Sequence, residues 1–161
     1  MDRSSVTFRI GLVPVLIALL AAIGYASSGA VTEKKLINSK NAPKAIGPYS
    51  QAIAANGFIF VSGQVPIDPA TGKIVPGGIE KQAEQSLKNI RAILKTAGAS
   101  MKHVVKATVF LADLNHYKRV NKIYAKFFSA PYPARAAVQV ARLPLDVMIE
   151  IEVIAVLPDN K

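Results

Sequence analysis

The chain has 161 residues, a formal net charge of +10 and no cysteine, and this length suits one domain with a single hydrophobic core. The lack of cysteine excludes disulfides, thiolate metal sites and a cysteine nucleophile. Because the lysines are scattered without a run of five or more, we interpret them as a solvated surface rather than a dedicated face for nucleic acid.

The N-terminal stretch is typical of an export signal. After two arginines, no charged residue occurs from position 10 to position 32. An apolar run over residues 10–23 precedes small residues over 24–30, the layout of a secretory signal peptide with cleavage after Ala26 or Ala30. The uncharged stretch is also just long enough for an uncleaved membrane anchor. We therefore expect an exported (periplasmic or secreted) or membrane-anchored protein. A mitochondrial leader fits less well, because the stretch is poor in arginine.

One domain is expected over residues 33–161, after the signal or anchor segment at 1–30. Two short apolar segments, residues 50–55 and 58–64, flank an Asn-Gly pair, which is the strongest short hairpin signal. The sequence Asp-Pro-Ala-Thr-Gly at 68–72 is typical of a turn.

Two helices and one strand are expected in the middle of the domain. Apolar residues recur at helical spacing over residues 79–97, and Gly98 is placed to end that helix. A stretch rich in valine and threonine predicts a strand over 103–111. A second helix is predicted over 115–128, ended by Pro131 and a second proline soon after it.

Two further strands, residues 134–141 and 148–157, surround a loop at 142–146. The predicted order is therefore strand, strand, helix, strand, helix, strand, strand. This order predicts an α+β domain in which both helices cover one face of a sheet.

The last two strands alternate in a way that indicates a mixed second face. Glu150 and Glu152 alternate with apolar residues on one strand, and Arg135 and Ala137 share a side of the other. We interpret the arginine and both glutamates as lying on the same face. Charges among apolar residues favour a face covered by another subunit. An Arg–Glu cross-strand pair that only stabilises the hairpin is the alternative.

Several motifs together resemble the RidA/YjgF family. The resemblance extends over residues 35–157, in order and without large gaps. One such motif would be weak, but several in register are highly specific. The motifs are Ile-Gly-Pro-Tyr-Ser-Gln (46–51), Val-Ser-Gly-Gln-Val-Pro (61–66), Asp-Leu-Asn (113–115) with Val-Asn (120–121), Pro-Ala-Arg-Ala-Ala-Val (133–138), Ala-Arg-Leu-Pro (141–144) and Ile-Glu-Ile (149–151).

The resemblance implies a chorismate-mutase-like fold and a homotrimer with active sites between subunits. It also implies a reaction that needs no cofactor: hydrolysis of reactive 2-imino or 2-enamino acids, such as 2-aminoacrylate and 2-iminobutanoate, to 2-keto acids and ammonia. Members are also described as translation inhibitors or endoribonucleases. That alternative would require a basic groove with stacking aromatic side chains, and we expect no nucleic-acid partner. A non-catalytic module of the same fold that binds small acids is a further alternative.

Two catalytic positions follow from the resemblance. Arg135 matches the position that binds the substrate carboxylate, for which a planar, permanently charged, bidentate donor is suited. Glu150 matches the carboxylate that positions or deprotonates water and later returns a proton to the departing nitrogen. A binding module would need the cation but not the carboxylate, so the pair favours an enzyme.

The other expected site residues line the pocket. Tyr49 and Ser62 match a phenol and a hydroxyl at the catalytic centre. Ala137 stands where some members carry cysteine, and we expect its backbone to help to hold the carboxylate. Asn121 matches a polar residue that closes the cleft from a neighbouring subunit. We expect no metal site, because the two histidines fall outside the motifs and no paired histidine spacing occurs.

Overall fold

The computed structural model describes residues 33–158. The predicted signal or anchor over residues 1–30 lies outside this range and stays a prediction. No helix within the described range is long and apolar enough to cross a membrane. The elements of this range are β1 (Lys35–Ile37), β2 (Ala52–Ala55), β3 (Phe58–Gln64), β4 (Ile67–Asp68), β5 (Lys73–Ile74), α1 (Ile79–Thr96), β6 (Val104–Leu111), α2 (Tyr117–Tyr124), β7 (Ala134–Gln139) and β8 (Ile149–Val156).

Six of the strands form one mixed sheet in the order β1-β2-β3-β8-β6-β7, and β4 pairs with β5 in a separate small hairpin. Neighbours in the large sheet are antiparallel, except that β6 and β7 are parallel. Both helices contribute to one hydrophobic core on the same face of the sheet. The α+β architecture expected from the sequence is therefore confirmed.

The core lies between α1 and the central strands. The apolar side chains that gave α1 its helical spacing are fully buried, and they pack against strand residues that are also inaccessible to solvent. Burying each such aliphatic side chain stabilises the domain by roughly 1.5–3 kcal/mol. The largest members of this core are Ile59, Ile79, Leu87, Ile90, Ile93, Leu94, Leu111, Ile149 and Ile151.

Two turns form as their sequences predict. Asn56 and Gly57 both have positive φ, at 50° and 76°, which a tight two-residue hairpin between β2 and β3 requires. Gly98 also has positive φ, 77°, and lies two residues beyond Thr96, the last residue of α1. The next amide, of Ala99, donates a 2.8 Å hydrogen bond to the carbonyl of Leu94 and closes the end of the helix.

Helix α2 is shorter than the predicted helix over residues 115–128. A 3₁₀ turn over Leu114–His116 precedes it, and the Asp113 side chain caps this turn by accepting from the Asn115 amide at 2.8 Å. After Tyr124 the amides of Lys126 and Phe127 donate to carbonyls three residues back, so the regular α-helical ladder is interrupted there. Strand β1 was not predicted, because three residues are too few to show an alternation.

The prediction that Arg135 shares a face with Glu150 is wrong. Arg135 lies opposite Ala107 in the parallel β6–β7 pair, and Glu150 lies opposite Phe110 in the β6–β8 pair. Paired residues point to the same side of a sheet, while positions 107 and 110 of one strand point to opposite sides. Ala107 is fully buried beneath the helices. Arg135 therefore lies on the helix side and Glu150 on the other, which also excludes the Arg–Glu cross-strand pair.

A buried glutamine fixes the segment that precedes β2. Gln51 is 3% exposed, and its amide oxygen accepts from the Ser39 amide at 2.6 Å. Its amide nitrogen lies 3.2 Å, 3.3 Å and 2.6 Å from the carbonyl oxygens of Ser39, Ala42 and Pro43. Segment 39–43 is thereby tied to the strand that follows it, across the loop that carries Tyr49.

We expect Gln51→Ala to lower the free energy of unfolding by about 2–3 kcal/mol, because the partners of the amide lose buried hydrogen bonds. Urea unfolding measures this loss. Gln139→Ala is the matched control, since Gln139 is exposed and its oxygen accepts one bond, from the Leu114 amide at 2.9 Å. The control substitution should lower the free energy of unfolding by less than about 1 kcal/mol. Equal losses in the two variants would contradict the role of Gln51.

Candidate functional site

A cleft of about 1010 Å³ opens between α2 and β7. Three of the expected site residues lie in it: Arg135 and Ala137 from β7, and Asn121 from α2. Asn121 thus shares the cleft with Arg135 of its own chain. We call this opening the Arg135 cleft, and its walls include Leu114, Tyr117, Asn121, Tyr124, Arg135 and Ala137.

The guanidinium of Arg135 is held by two tyrosines. Its Cζ lies 4.5 Å from the ring centroid of Tyr124 and 5.4 Å from that of Tyr117. Its Nη2 donates a 3.0 Å hydrogen bond to the Tyr117 hydroxyl. No carboxylate within residues 33–158 forms a salt bridge with Arg135. The guanidinium can therefore form an ion pair with an anion in the cleft. A carboxylate matches the geometry of its paired N–H donors.

Two buried polar atoms beside Arg135 lack a hydrogen-bond partner among the described residues: Asn121 Oδ1 and the Tyr124 hydroxyl. Burial raises the pKa of Tyr124 to about 12, although the positive charge of Arg135 acts to lower it. The phenol therefore stays neutral at physiological pH. Unsatisfied buried polar atoms are costly. A bound molecule or a water in the cleft would remove that cost.

The backbone of Ala137 provides its only polar groups in the cleft. Strand β7 is the edge strand of the sheet, so its outward amide and carbonyl groups have no neighbouring strand to pair with. This position is compatible with the expected contact between the Ala137 backbone and a carboxylate, which stays a prediction.

Glu150 occupies a different place, on the sheet face opposite the helices, which we call the open face. Its carboxylate rests directly on the backbone of Gly63, where a β-carbon would overlap it. Gly63 lies at an irregularity in the pairing of β3 with β8, between Val61 and Gln64. Partial burial raises the pKa of Glu150, and the negative charge of Glu152 raises it further. A carboxylate of this kind is a stronger base than an exposed one.

Ser62 precedes Gly63 in β3, and its hydrogen bonds connect it to the segment that follows Tyr49. Ser62 Oγ donates to the Ser50 carbonyl at 2.7 Å, and the Ser62 amide donates to the Gln51 carbonyl at 3.0 Å. Tyr49 precedes these residues, is about half exposed, and accepts from the Ile46 amide at 3.3 Å. Strand β3 therefore places Ser62 beside the residue that supports Glu150.

The expected site residues thus form two separate groups. Strand β6 lies between β7 and β8, so these two strands are about 9–10 Å apart across the sheet. Arg135 and Glu150 are also offset by three residues along the strands, and their side chains point to opposite faces. A small acid bound to Arg135 is therefore out of reach of Glu150 in the same chain.

Sequence reasoning missed three residues of these groups. Tyr117 and Tyr124 are seven residues apart, two helical turns, so both lie on one face of α2. That spacing was the available signal for the pair that contacts Arg135. No local pattern distinguishes Gly63, because its contact with Glu150 comes from strand pairing.

No group of three or more potential metal-ligating side chains of histidine, aspartate or glutamate occurs within residues 33–158. The Arg135 cleft instead offers a cation, two phenols and an amide. This donor set suits a small organic acid.

The raised pKa of Glu150 predicts a pH-dependent effect on stability. Because the folded chain holds the Glu150 proton more tightly than the unfolded chain does, ionised Glu150 destabilises the fold above its folded pKa. We expect Glu150→Gln to increase the free energy of unfolding at pH 7. The gain should disappear as the pH falls below about 4, where the unfolded carboxyl is also protonated. Urea unfolding at both pH values measures it.

Glu84→Gln is a control of opposite sign. The hydrogen bond and charge of Lys88, 2.8 Å away, lower the pKa of Glu84, so its loss should slightly reduce stability at pH 7. A Glu150→Gln variant less stable than the parent at pH 7 would refute the expected cost of its ionisation.

The comparisons with known proteins match nearly the whole described chain. The family model described as Endoribonuclease L-PSP matches residues 39–157. A RutC family protein of Pyrococcus horikoshii is 56% identical over 122 residues, 76% of this chain and 97% of that protein. The 2-iminobutanoate/2-iminopropanoate deaminase of Bos taurus is 52% identical over 123 residues, 76% of this chain and 90% of that protein.

A solved structure agrees with this match. Escherichia coli TdcF with bound serine has a TM-score of 0.73 and 48% identity, covering 76% of this chain and 98% of that one. The sequence and structural matches together show that the chain belongs to the RidA/YjgF family, whose family model is described as Endoribonuclease L-PSP.

Proposed function

We propose that this protein hydrolyses reactive 2-imino and 2-enamino acids to 2-keto acids and ammonia, at sites that two subunits of a homotrimer share. The observation that carries the proposal is the placement of Arg135 and Glu150 on opposite faces of one sheet. One chain presents a carboxylate-binding cleft, and its open face presents a base. Only a second copy can bring the two groups to one substrate.

The chemistry requires few groups. Arg135 binds the substrate carboxylate and so orients the C=N bond. Glu150 accepts a proton from water as the oxygen attacks the imine carbon, and it then delivers that proton to the nitrogen. The product of this addition is a carbinolamine. Its hydroxyl passes a second proton, again through Glu150, to the amino group; the C–N bond breaks, ammonia leaves, and the carbonyl of the keto acid remains. An enamine first gains a proton at its β-carbon and loses one from its nitrogen, which converts it to the imine.

The open face supports the shared site. Phe58, Phe60 and Val156 lie on it and are 41%, 45% and 40% exposed. Apolar side chains exposed next to one another are typical of a surface that another protein covers. A second copy on this face would also bury Glu150 further. The number three comes from the resemblance to the family.

The relatives support the reaction. The bovine relative at 52% identity and the human relative at 49% are both named 2-iminobutanoate/2-iminopropanoate deaminase. The chain spans about nine tenths of each of them. Arg135 and Glu150 provide the cation and the base that such a reaction needs.

We expect two conservative substitutions to reduce turnover. Arg135→Lys keeps the charge but loses the bidentate fork, and should lower kcat/KM at least about tenfold. Glu150→Gln keeps the size but removes the base, and should lower kcat about 100-fold or more. The assay follows ammonia or keto-acid release from enzymatically generated 2-iminobutanoate, corrected for the spontaneous rate. If both variants match the parent, the site assignment is wrong.

Mixing the two variants tests the shared site. When Arg135→Lys and Glu150→Gln chains are unfolded and refolded together in equal amounts, about one quarter of the sites in random trimers combine an intact arginine with an intact glutamate. We expect the mixture to recover about one quarter of the activity of refolded parent, above the residual activity that each variant keeps when it is refolded alone.

The shared site would be overturned by a mixture no more active than the average of its two components, or by a parent that sediments as a monomer at micromolar concentration. RNA cleavage is assayed on the same preparations. A parent that cleaves RNA but does not accelerate imine hydrolysis would overturn the proposed enzyme class.

A further inference from the structure

Two tyrosine side chains restrain Arg135. The Tyr124 ring lies against its guanidinium at 4.5 Å, and the Tyr117 hydroxyl accepts a hydrogen bond from Nη2 at 3.0 Å. No other hydrogen bond of this side chain is formed within residues 33–158. The ring contact restrains the position of the guanidinium, and the hydrogen bond restrains its orientation.

The second restraint matters because arginine is a long, flexible side chain. On an edge strand such as β7, it would otherwise populate several rotamers, and binding a carboxylate would have to order it. A ring contact alone leaves the guanidinium free to slide and rotate over the aromatic face. A hydrogen bond to a defined oxygen removes this freedom, and an ionised donor makes that bond stronger than a neutral one would be.

We infer that Tyr117 is a positioning residue that orients Arg135, through its hydroxyl, for the carboxylate of the substrate. The inference rests on the proposed function, and it assigns the hydroxyl a role that the ring alone could not fulfil. Tyr117 begins α2 and Arg135 lies on β7, so the bond also joins the helix wall of the cleft to its strand wall.

The expected consequence is a change in binding rather than in chemistry. The substrate carboxylate is bound in the ground state and in the transition state alike, so a poorly oriented Arg135 weakens both equally. Such a loss raises KM and leaves kcat unchanged. The effect should be moderate, because Tyr117 is 39% exposed and water can replace the lost acceptor.

The test compares Tyr117→Phe with the parent. The phenylalanine keeps the ring against Arg135 and removes only the acceptor. We expect KM for 2-iminobutanoate to rise about three- to tenfold, with kcat within about twofold of the parent. The inhibition constant of 2-oxobutanoate, which carries the same carboxylate, should rise by the same factor. Lys122→Gln, an exposed change on the same helix, should change neither constant.

A double-mutant cycle separates positioning from a general structural effect. In an Arg135→Lys background the fork that Tyr117 orients is absent, so adding Tyr117→Phe should change kcat/KM less than about twofold. The inference would be overturned if the effects of the two substitutions on kcat/KM were fully additive. It would also be overturned if Tyr117→Phe alone left KM unchanged, with or without a fall in kcat.

The failures of the two proposals are distinguishable. A parent that does not accelerate imine hydrolysis overturns the proposed function. An active parent whose Tyr117→Phe variant has the same KM and the same inhibition constant overturns only the role of Tyr117.

Discussion

Strand β7 pairs in parallel with β6 at the edge of the sheet, and the rest of the site depends on this pairing. The register places Arg135 opposite Ala107, on the side that the helices cover. There the guanidinium contacts Tyr117 and Tyr124 of α2. A shift of one residue would turn Arg135 to the open face and leave the cleft without its cation. The same register keeps Glu150 away from Arg135, so neither charge neutralises the other.

The Arg135 cleft and the surroundings of Glu150 on the open face affect the charged groups differently. Arg135 is stabilised by aromatic faces and a phenol oxygen, which accommodate a cation without neutralising it. Glu150 is partly buried on the backbone of Gly63 with a second carboxylate nearby, and both circumstances raise its pKa. A cation left available and a carboxylate kept basic are the groups that an imine hydrolase requires. The raised pKa of Glu150 means that its ionisation lowers the stability of the fold.

Family membership and the proposed mechanism rest on different observations. Similarity over residues 39–157 places the chain in its family, whereas the proposal of a shared site rests on the positions of Arg135 and Glu150. The exposed aromatic residues of the open face give an independent reason to expect a second copy there. The proposed catalytic apparatus is small, and in this mechanism positioning by Arg135 contributes much of the rate enhancement because imines are already reactive toward water.

The sequence by itself determined the local structure: the spacing within α1, the Asn56-Gly57 turn, the strand alternation, and the motifs that identified Arg135 and Glu150. These features depend on neighbours a few residues away, which a sequence displays directly. The tertiary structure decided on which side of the sheet each strand presents its residues. Alternation fixes which residues of one strand share a side, but the side itself depends on the partner strand and its register. Arg135 was therefore assigned to the wrong face, and its contacts with Tyr117 and Tyr124 became visible only once β7 was paired with β6.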